Sequence, residues 1–405
     1  MQETVVVTES SAVPRALSGI RVVDVSRVLA GPWATQLLAD LGADVIKVER
    51  PGTGDDTRSF GPPWFHGANG EREAAYFTCA NRNKRSIALD LTRAEDAALL
   101  VEMASEADVF VENFKVGTLA RHGLDYTALA ARNPRIVYCS ITGFGQHGPY
   151  ADLPGYDFIV QAVGGLMSIT GEANGPPMKV GVALSDILTG LYACNGILAA
   201  LHQRGQTGRG QHIETALLDV QVATLANQAA SFLATGYNPR RFGNAHPSIV
   251  PYQTFETSDG VIAVAVGNDT QFTALCEVLE RPSLAADPRF ATNAQRVAER
   301  DILIPELQRA FRRRSSRKWL ARLADAGVPA GPVNTIHDVF SDPHVIERQL
   351  RVTLPHARLG TVPGVACPVR MSDSPPVLDR GPPVLDEHAE QIRLEMKRRR
   401  SGAGR

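Results

Sequence analysis

Lys47, Arg50, Arg85 and Arg121 sit at comparable places along the first third of the chain, each beside a run that reads as a β-strand. Lys47 and Arg50 close DVIKVER; Arg82, Lys84 and Arg85 fill NRNKRSIALD ahead of another strand; Arg121 follows a third strand and its exit, Glu112-Asn113-Phe114-Lys115. Arginine and lysine supply several donors each, so this recurrence suits a cradle for a phosphate-bearing molecule. The 82–85 triplet also reads as a solvated charged turn. A second chemical candidate is Asp186, in MKVGVALSDILTGLYACNGILAALHQRGQTGRGQ (residues 178–211). Ser185 and Asp186 stand where the helical pattern begins, and taken alone they read as caps for its first amides.

These residues need elements to position them. Ile20–Val25 (IRVVDV) predicts a buried strand, Pro32–Gly42 a helix and Asp44–Glu49 a second strand, a unit that implies a parallel sheet with right-handed crossovers. Further strands are expected at 108–111, 135–141 and 211–217, and one long Ala-rich helix over 219–235. Open parallel sheets bind ligands at the carboxyl ends of their strands, where the basic residues gather. Glu49 falls where a ribose-binding acid would stand. The first loop, SRVLAGP, lacks G-x-G-x-x-G, so a dinucleotide site is rejected while the Rossmann-like layout is kept. Residues 51–75 predict a long surface loop.

After 236 the composition shifts to Arg, Gly, Asn and Pro. A D-G hairpin over 252–266, helices near 271–279, 300–311 and 319–326, and an irregular GVPAGPVN predict a smaller α+β domain. The expected division is a flexible leader (1–16), a large α/β domain with a Rossmann-like open parallel sheet (17–235), the small domain with linkers (236–350), a segment returning to the large domain (351–393) and a basic flexible tail (394–405).

Several classes are excluded. At 405 residues with 44% hydrophobic content and a net charge of −1, this is an ordinary globular chain with no pull toward nucleic acid or anionic membranes. No apolar run approaches the length that spans a bilayer. The leader carries Glu3 and Glu9 and no basic region before an apolar core, so a cytoplasmic protein is expected. The five cysteines, Cys79, Cys139, Cys194, Cys276 and Cys367, are scattered without C-x-x-C pairing and read as buried apolar residues. No cluster has metal-ligand spacing, and G-x-S-x-G is absent, so no metal is expected.

The opening LSGIRVVDVSRVLAGPWATQLLADLGADVIKVERPGTGD resembles that of the class III CoA-transferases, the CaiB/BaiF family. YFTCANRNKRSIALDL, ADVFVENFKVGTLARHGLDY, PGYDFIVQAVGGLMSITG, VGVALSDILTGLYACNGILAAL, TGRGQHIETALLD, GVPAGPVN and PPVLDEHAEQI extend the resemblance over roughly 17–393. The resemblance implies that Asp186 is a nucleophile, attacking an acyl-CoA thioester and passing through an aspartyl anhydride and an aspartyl-CoA thioester. It places CoA contacts at Leu29 and Ala30, Arg50, Leu89, Asp90, Leu91 and Thr92, Asn113, Phe114, Lys115 and Arg121, with Tyr156 and Asp157 on the pantetheine side. It also implies an interlocked homodimer.

Two departures narrow the branch. Where formyl-CoA transferases carry a glycine run, this chain reads GNAHPS (243–248), and HPSIVPYQTFETSDGVIAVAVGN resembles the succinyl-CoA:glutarate branch. The expected donor is therefore succinyl-CoA and the acceptor a glutarate-like dicarboxylate, with Arg240, Arg241 and His246 as candidates for its second carboxylate. The alternatives are a formyl-CoA or carnitine-type transferase and a 2-methylacyl-CoA racemase. The racemase needs a His acid/base where this chain has Tyr156.

Overall fold

A computed structural model of the chain describes residues 14–402. Six strands form one sheet: β1 (Arg21–Asp24), β2 (Asp44–Glu49), β3 (Arg85–Ala88), β4 (Val109–Glu112), β5 (Val137–Thr142) and β6 (His212–Ala216). They lie in the order β3-β2-β1-β4-β5-β6, and every pairing is parallel. This is the doubly wound Rossmann order, whose ligand crevice opens where the order reverses, beyond the carboxyl ends of β1 and β4. Both faces of the sheet are covered, as a parallel sheet requires. Val23, Ile46, Ile87, Phe110 and Tyr138 pack on one side. Val22, Val45, Val109, Val137 and Cys139 pack on the other.

Two helices on that second face matter for the site. The first helix, Ala30–Asp40, and the central helix, Leu184–Thr207, are packed against each other. A Cβ on Gly190 would lie 2.7 Å from the Ala30 carbonyl oxygen, so only glycine allows this approach. The central helix is long and apolar enough to cross a membrane, which corrects the sequence expectation that no run comes near that length. One face of it packs into the sheet's second core. It buries Thr189, Ala193, Cys194 and Ile197, and its buried Arg204 pairs with Asp108 at 2.9 Å.

By its contacts the chain divides into two units. One comprises residues up to Leu166, Val180–Ala230 and those from His344 on; the other comprises Met167–Lys179 and Ser231–Pro343. The second unit has a three-stranded antiparallel sheet in which Ala330–Pro332 pairs with Val261–Ala265, and Val261–Ala265 with Tyr252–Glu256. GVPAGPVN therefore supplies a strand rather than an irregular segment. Its core stacks Phe255 on Phe311 at 4.6 Å, with Trp319 edge-on to Phe311.

Other expectations need amendment. The helix expected over 219–235 is two, Leu217–Ala223 and Ala226–Thr235, separated where Ala226 takes φ of +45°. Residues 51–75 hold a short 3-10 turn and the hairpin Trp64–His66/Arg72–Ala74, and Asp55, Thr57 and Glu73 are buried there. The leader falls mostly outside the described residues. The segment read as a flexible tail from 394 is helix as far as Arg400, within Ala389–Arg400. Ile392 and Met396, one turn apart, are buried in the sheet's first core, and Arg399 and Arg400 pair with Glu106 and Glu102. Cys79 is exposed; the other four cysteines are buried.

Candidate active site

The basic residues divide sharply. Arg82 and Lys84 point inward, to Asp40 and Asp24. Arg85 spans Asp44 (2.7 Å) and Glu395 (2.9 Å). Lys47 is buried and paired with Asp55 at 2.8 Å. These four hold elements together and do not form the expected phosphate cradle. A buried charge must be paired, and for Arg82, Lys84 and Arg85 the partners lie 41 to 310 residues away, where the local sequence gives no hint of them. Glu49, placed where a ribose acid would stand, is clamped by Arg58 through both oxygens at 2.8 Å.

Arg50 and Arg121 behave differently. They line a cavity of about 660 Å³ at the crevice, walled by Val25, Ser26 and Arg27 after β1, Lys47–Asp55 at β2, Leu89–Thr92 after β3, and Phe114, Thr118 and Leu119 after β4. Of the expected CoA contacts, Arg50, Leu89, Asp90, Leu91, Thr92, Phe114 and Arg121 therefore share one cavity. Arg27, Thr53 and His122 line it too and were not singled out from sequence. Arg27 and Arg50 approach Asp56 at 3.2 and 2.6 Å, which keeps two guanidinium groups at the rim. Glu112 accepts the Phe114 N–H at 2.8 Å and so fixes that wall.

The remaining expected contacts lie elsewhere. Asn113 clasps the first loop, accepting from Arg27 N at 3.0 Å and donating to Arg27 O at 2.7 Å. Lys115 lines a separate cavity of about 290 Å³ with Glu112, Ser140 and His212, and reaches Asp152 at 3.4 Å. Leu29 and Ala30 are buried at the start of the first helix. In the second unit, Arg241 donates to the carbonyls of Ser168, Glu172 and Gly175, so it braces a backbone segment.

Asp186 occupies the third position of the central helix, partly buried. Neither it nor Ser185 caps that helix. The Ser185 N–H donates instead to Asp157 Oδ1 at 2.8 Å, and Asp157 Oδ2 accepts from Gln161 Nε2 at 2.8 Å. Gln161 Oε1 accepts Val180 N–H at 2.9 Å, and Ser185 Oγ donates to Gln221 at 2.7 Å. Asp157 opens its own helix, Asp157–Val163, and its neighbour Tyr156 is 66% exposed. A cap supplied from another helix leaves the Asp186 carboxylate uncommitted. Burial first, and the Asp157 charge second, push Asp186 up to about 7.

Tyr76, on the short helix Ala75–Thr78, is a further residue that sequence reasoning missed. Burial pushes its phenol up to about 12, helped by the charges of Asp186, Cys79 and Asp157 around it. It stays protonated near neutrality, and it lies close enough to Asp186 for the two groups' charges to interact. Nothing in EAAYFTCA marks it, because the proximity is made by the fold. The first loop links the two regions: its residues 25–27 wall the cavity, and Ala30 abuts Gly190, one turn along the central helix from Asp186.

A doubly wound sheet with a nucleotide-sized cavity at its switch point, and a half-buried carboxylate at the head of an adjoining helix, define the class: an α/β enzyme for a nucleotide-bearing ligand. The family follows from comparison. The profile of CoA-transferase family III matches residues 17–389. The chain is 51% identical over 383 residues to the succinate--glutarate CoA-transferase of Agrobacterium fabrum, covering 94% of this chain and 96% of that one. It is 45% identical over 386 residues to the succinyl-CoA:glutarate CoA-transferase of Homo sapiens, covering 95% and 86%. A CaiB/BaiF family protein from Brucella suis matches its structure with a TM-score of 0.85 at 50% identity, over 95% of this chain and 100% of that one. The chain belongs to CoA-transferase family III and is an enzyme of that family.

Proposed function

We propose that this enzyme moves CoA from succinyl-CoA to glutarate or a glutarate-like dicarboxylate, with Asp186 as the nucleophile. The observation that carries the mechanism is the cap supplied by Asp157, which leaves a half-buried Asp186 carboxylate free at the head of a helix. The substrate reading rests on the named relatives at 51% and 45% identity.

In this reading an Asp186 oxygen attacks the succinyl thioester carbonyl, the C–S bond breaks, and CoA leaves as thiolate from a succinyl–aspartyl anhydride. The thiolate attacks the aspartyl carbonyl, forming an aspartyl-CoA thioester and releasing succinate. A glutarate oxygen then attacks that thioester carbonyl and expels CoA thiolate, leaving an aspartyl–glutaryl anhydride. The thiolate attacks the glutaryl carbonyl, and the C–O bond breaks to give glutaryl-CoA and the Asp186 carboxylate. Each tetrahedral intermediate carries an oxyanion. The first-turn amides of the first helix, at Ala30 and Gly31, have no intrahelical acceptors and suit it as donors. The Tyr76 phenol adds a donor on the carboxylate side.

The 660 Å³ cavity takes the nucleotide end of CoA, with Arg50 and Arg121 on its phosphates. Losing one charge-assisted contact weakens binding by about 1.5–3 kcal/mol. Arg121→Ala should thus raise KM for acyl-CoA at least about tenfold while kcat stays within about twofold. A fall in kcat with KM unchanged would count against the placement. The exposed apolar side chains of Phe158, Val163, Tyr192 and Val222 support an interlocked homodimer, since such a patch is seldom left to solvent. Light scattering should give twice the chain mass; a monomer would overturn that reading.

The deciding experiment is peptide-mapped mass spectrometry after incubation with succinyl-CoA and nucleophilic trapping, beside an acceptor screen with glutarate. Label on the Asp186 peptide together with glutaryl-CoA formation supports the whole reading. Label with another acyl-CoA alone keeps the mechanism and removes the substrate assignment.

A further inference from the structure

Lys84 is wholly buried, and its ammonium donates to three acceptors on three different segments: Asp24 Oδ2 at the end of β1 (3.1 Å), the Pro32 carbonyl in the first turn of the first helix (2.9 Å), and Asn81 Oδ1 (2.9 Å). An ammonium has three protons, and here each has an acceptor. Every one of these acceptors governs part of the site. Asp24 also accepts from Ser26 N at 3.0 Å and so fixes the start of the first loop. Pro32 belongs to the turn that presents the Ala30 and Gly31 amides. Asn81 passes the connection on, donating from Nδ2 to the Phe77 carbonyl at 2.9 Å, next to Tyr76.

We infer that Lys84 is the positioning residue for the chemical half of this site, setting where the first-helix amides and the Tyr76 phenol lie against Asp186. The inference rests on the reading of Asp186 as nucleophile, because positions are meaningful only relative to the reacting carboxylate. It gives a buried lysine that touches no substrate a role in the rate. It also separates that role from CoA affinity, since the nucleotide cavity is lined by other residues.

Titration supports the geometry. The charged groups facing Lys84 are Asp24 from β1, Lys47 from β2 and Asp55 from the loop after β2. Burial pushes the ammonium down to about 8, opposed first by Asp24 and assisted by Lys47. When the proton leaves, one of the three bonds is lost, and the elements it ties together loosen. The expected signature is a fall in kcat as pH rises past about 8, with KM for acyl-CoA flat across the same range.

The test compares wild type, Lys84→Met and Asn81→Asp by steady-state kinetics and by the rate of labelling of the Asp186 peptide with succinyl-CoA. Asn81→Asp keeps an acceptor for Lys84, replaces the donor to Phe77 with a carboxylate oxygen and adds a buried negative charge beside the ammonium. It should lower kcat about tenfold or more with KM within about twofold, because small misplacements of reacting groups are costly in rate. Lys84→Met should lower kcat at least about a hundredfold and abolish the limb at pH 8. If Lys84→Met does not fold, Asn81→Asp decides alone. Wild-type labelling with Asn81→Asp at wild-type kcat overturns the inference by itself. Wild-type protein that labels with no acyl-CoA overturns the Asp186 reading, and the inference with it.

Discussion

Asp186→Asn should reduce CoA transfer at least about a thousandfold and remove the acyl or CoA label from its peptide, because an amide cannot form the anhydride. KM for acyl-CoA should change little, since the cavity proposed to hold the nucleotide lies among other residues. The same variant should be the more stable protein at neutral and alkaline pH. Asp186 is raised from an ordinary carboxylate value to about 7 in the folded chain. A carboxyl whose folded value exceeds its unfolded one contributes stability in full below about pH 4. That contribution is lost as pH rises through about 7, and the ionised wild-type group then weighs against folding. Asparagine does not titrate. The melting temperature of Asp186→Asn minus that of wild type should therefore grow between about pH 4 and pH 7 and level off above. A gap that is flat or shrinks with pH would contradict the burial of this carboxylate.

Asp157→Ala tests the shell around it and should act on stability and on pH dependence together. Its removal leaves the Ser185 N–H and Gln161 Nε2 without the acceptors they have at 2.8 Å. Gln161 Nε2 keeps the Val182 carbonyl at 3.4 Å, so the Ser185 N–H is the donor left unpaired. That costs about 1–3 kcal/mol, and a melting temperature lower by a few degrees is expected. Activity should fall by less than in Asp186→Asn, because the proposed nucleophile survives. The acid limb of kcat/KM should move to lower pH, as the like charge that helps to raise Asp186 has gone. The move should be partial. Burial, the larger cause, remains, and the limb should stay above the ordinary carboxylate range. An acid limb that rises, or a melting temperature unchanged within a degree, would show that Asp157 does not hold the head of the central helix.

Both predictions depend on a contact that no local pattern announces. Sequence placed Asp186 at a helix start but made it and Ser185 the caps. The acceptor is Asp157, 28 residues upstream on another helix. It reaches Ser185 because Asp157–Val163 packs on the central helix and on Leu217–Ala223, which brings Gln221 to Ser185 as well. A side chain's reach along the chain is a turn or two; its reach across a packed core is set by the whole fold.

What sequence determined by itself is whatever depends on neighbours. Apolar runs located β1, β2, β4, β5 and β6 to within two residues, because strand periods are local, while Arg85, read as preceding a strand, opens β3 itself. The β-α-β opening fixed a parallel sheet, and with it the end of the sheet where ligands bind. Residue order also carried the family likeness, and with it Asp186 and the Arg50, Leu89–Thr92, Phe114 and Arg121 wall. Only tertiary structure decided which charges face inward. Lys84 finds Asp24 at a separation of 60 residues and Arg85 finds Glu395 at 310, so the basic triplet that resembled a phosphate cradle is a set of buried ties. Tyr76 joins Asp186 for the same reason, and Lys115 and Arg121, six residues apart, line different cavities. Periodicity tells a side chain's face within its own element; the burial of a charge beside its partner is a property of two elements at once.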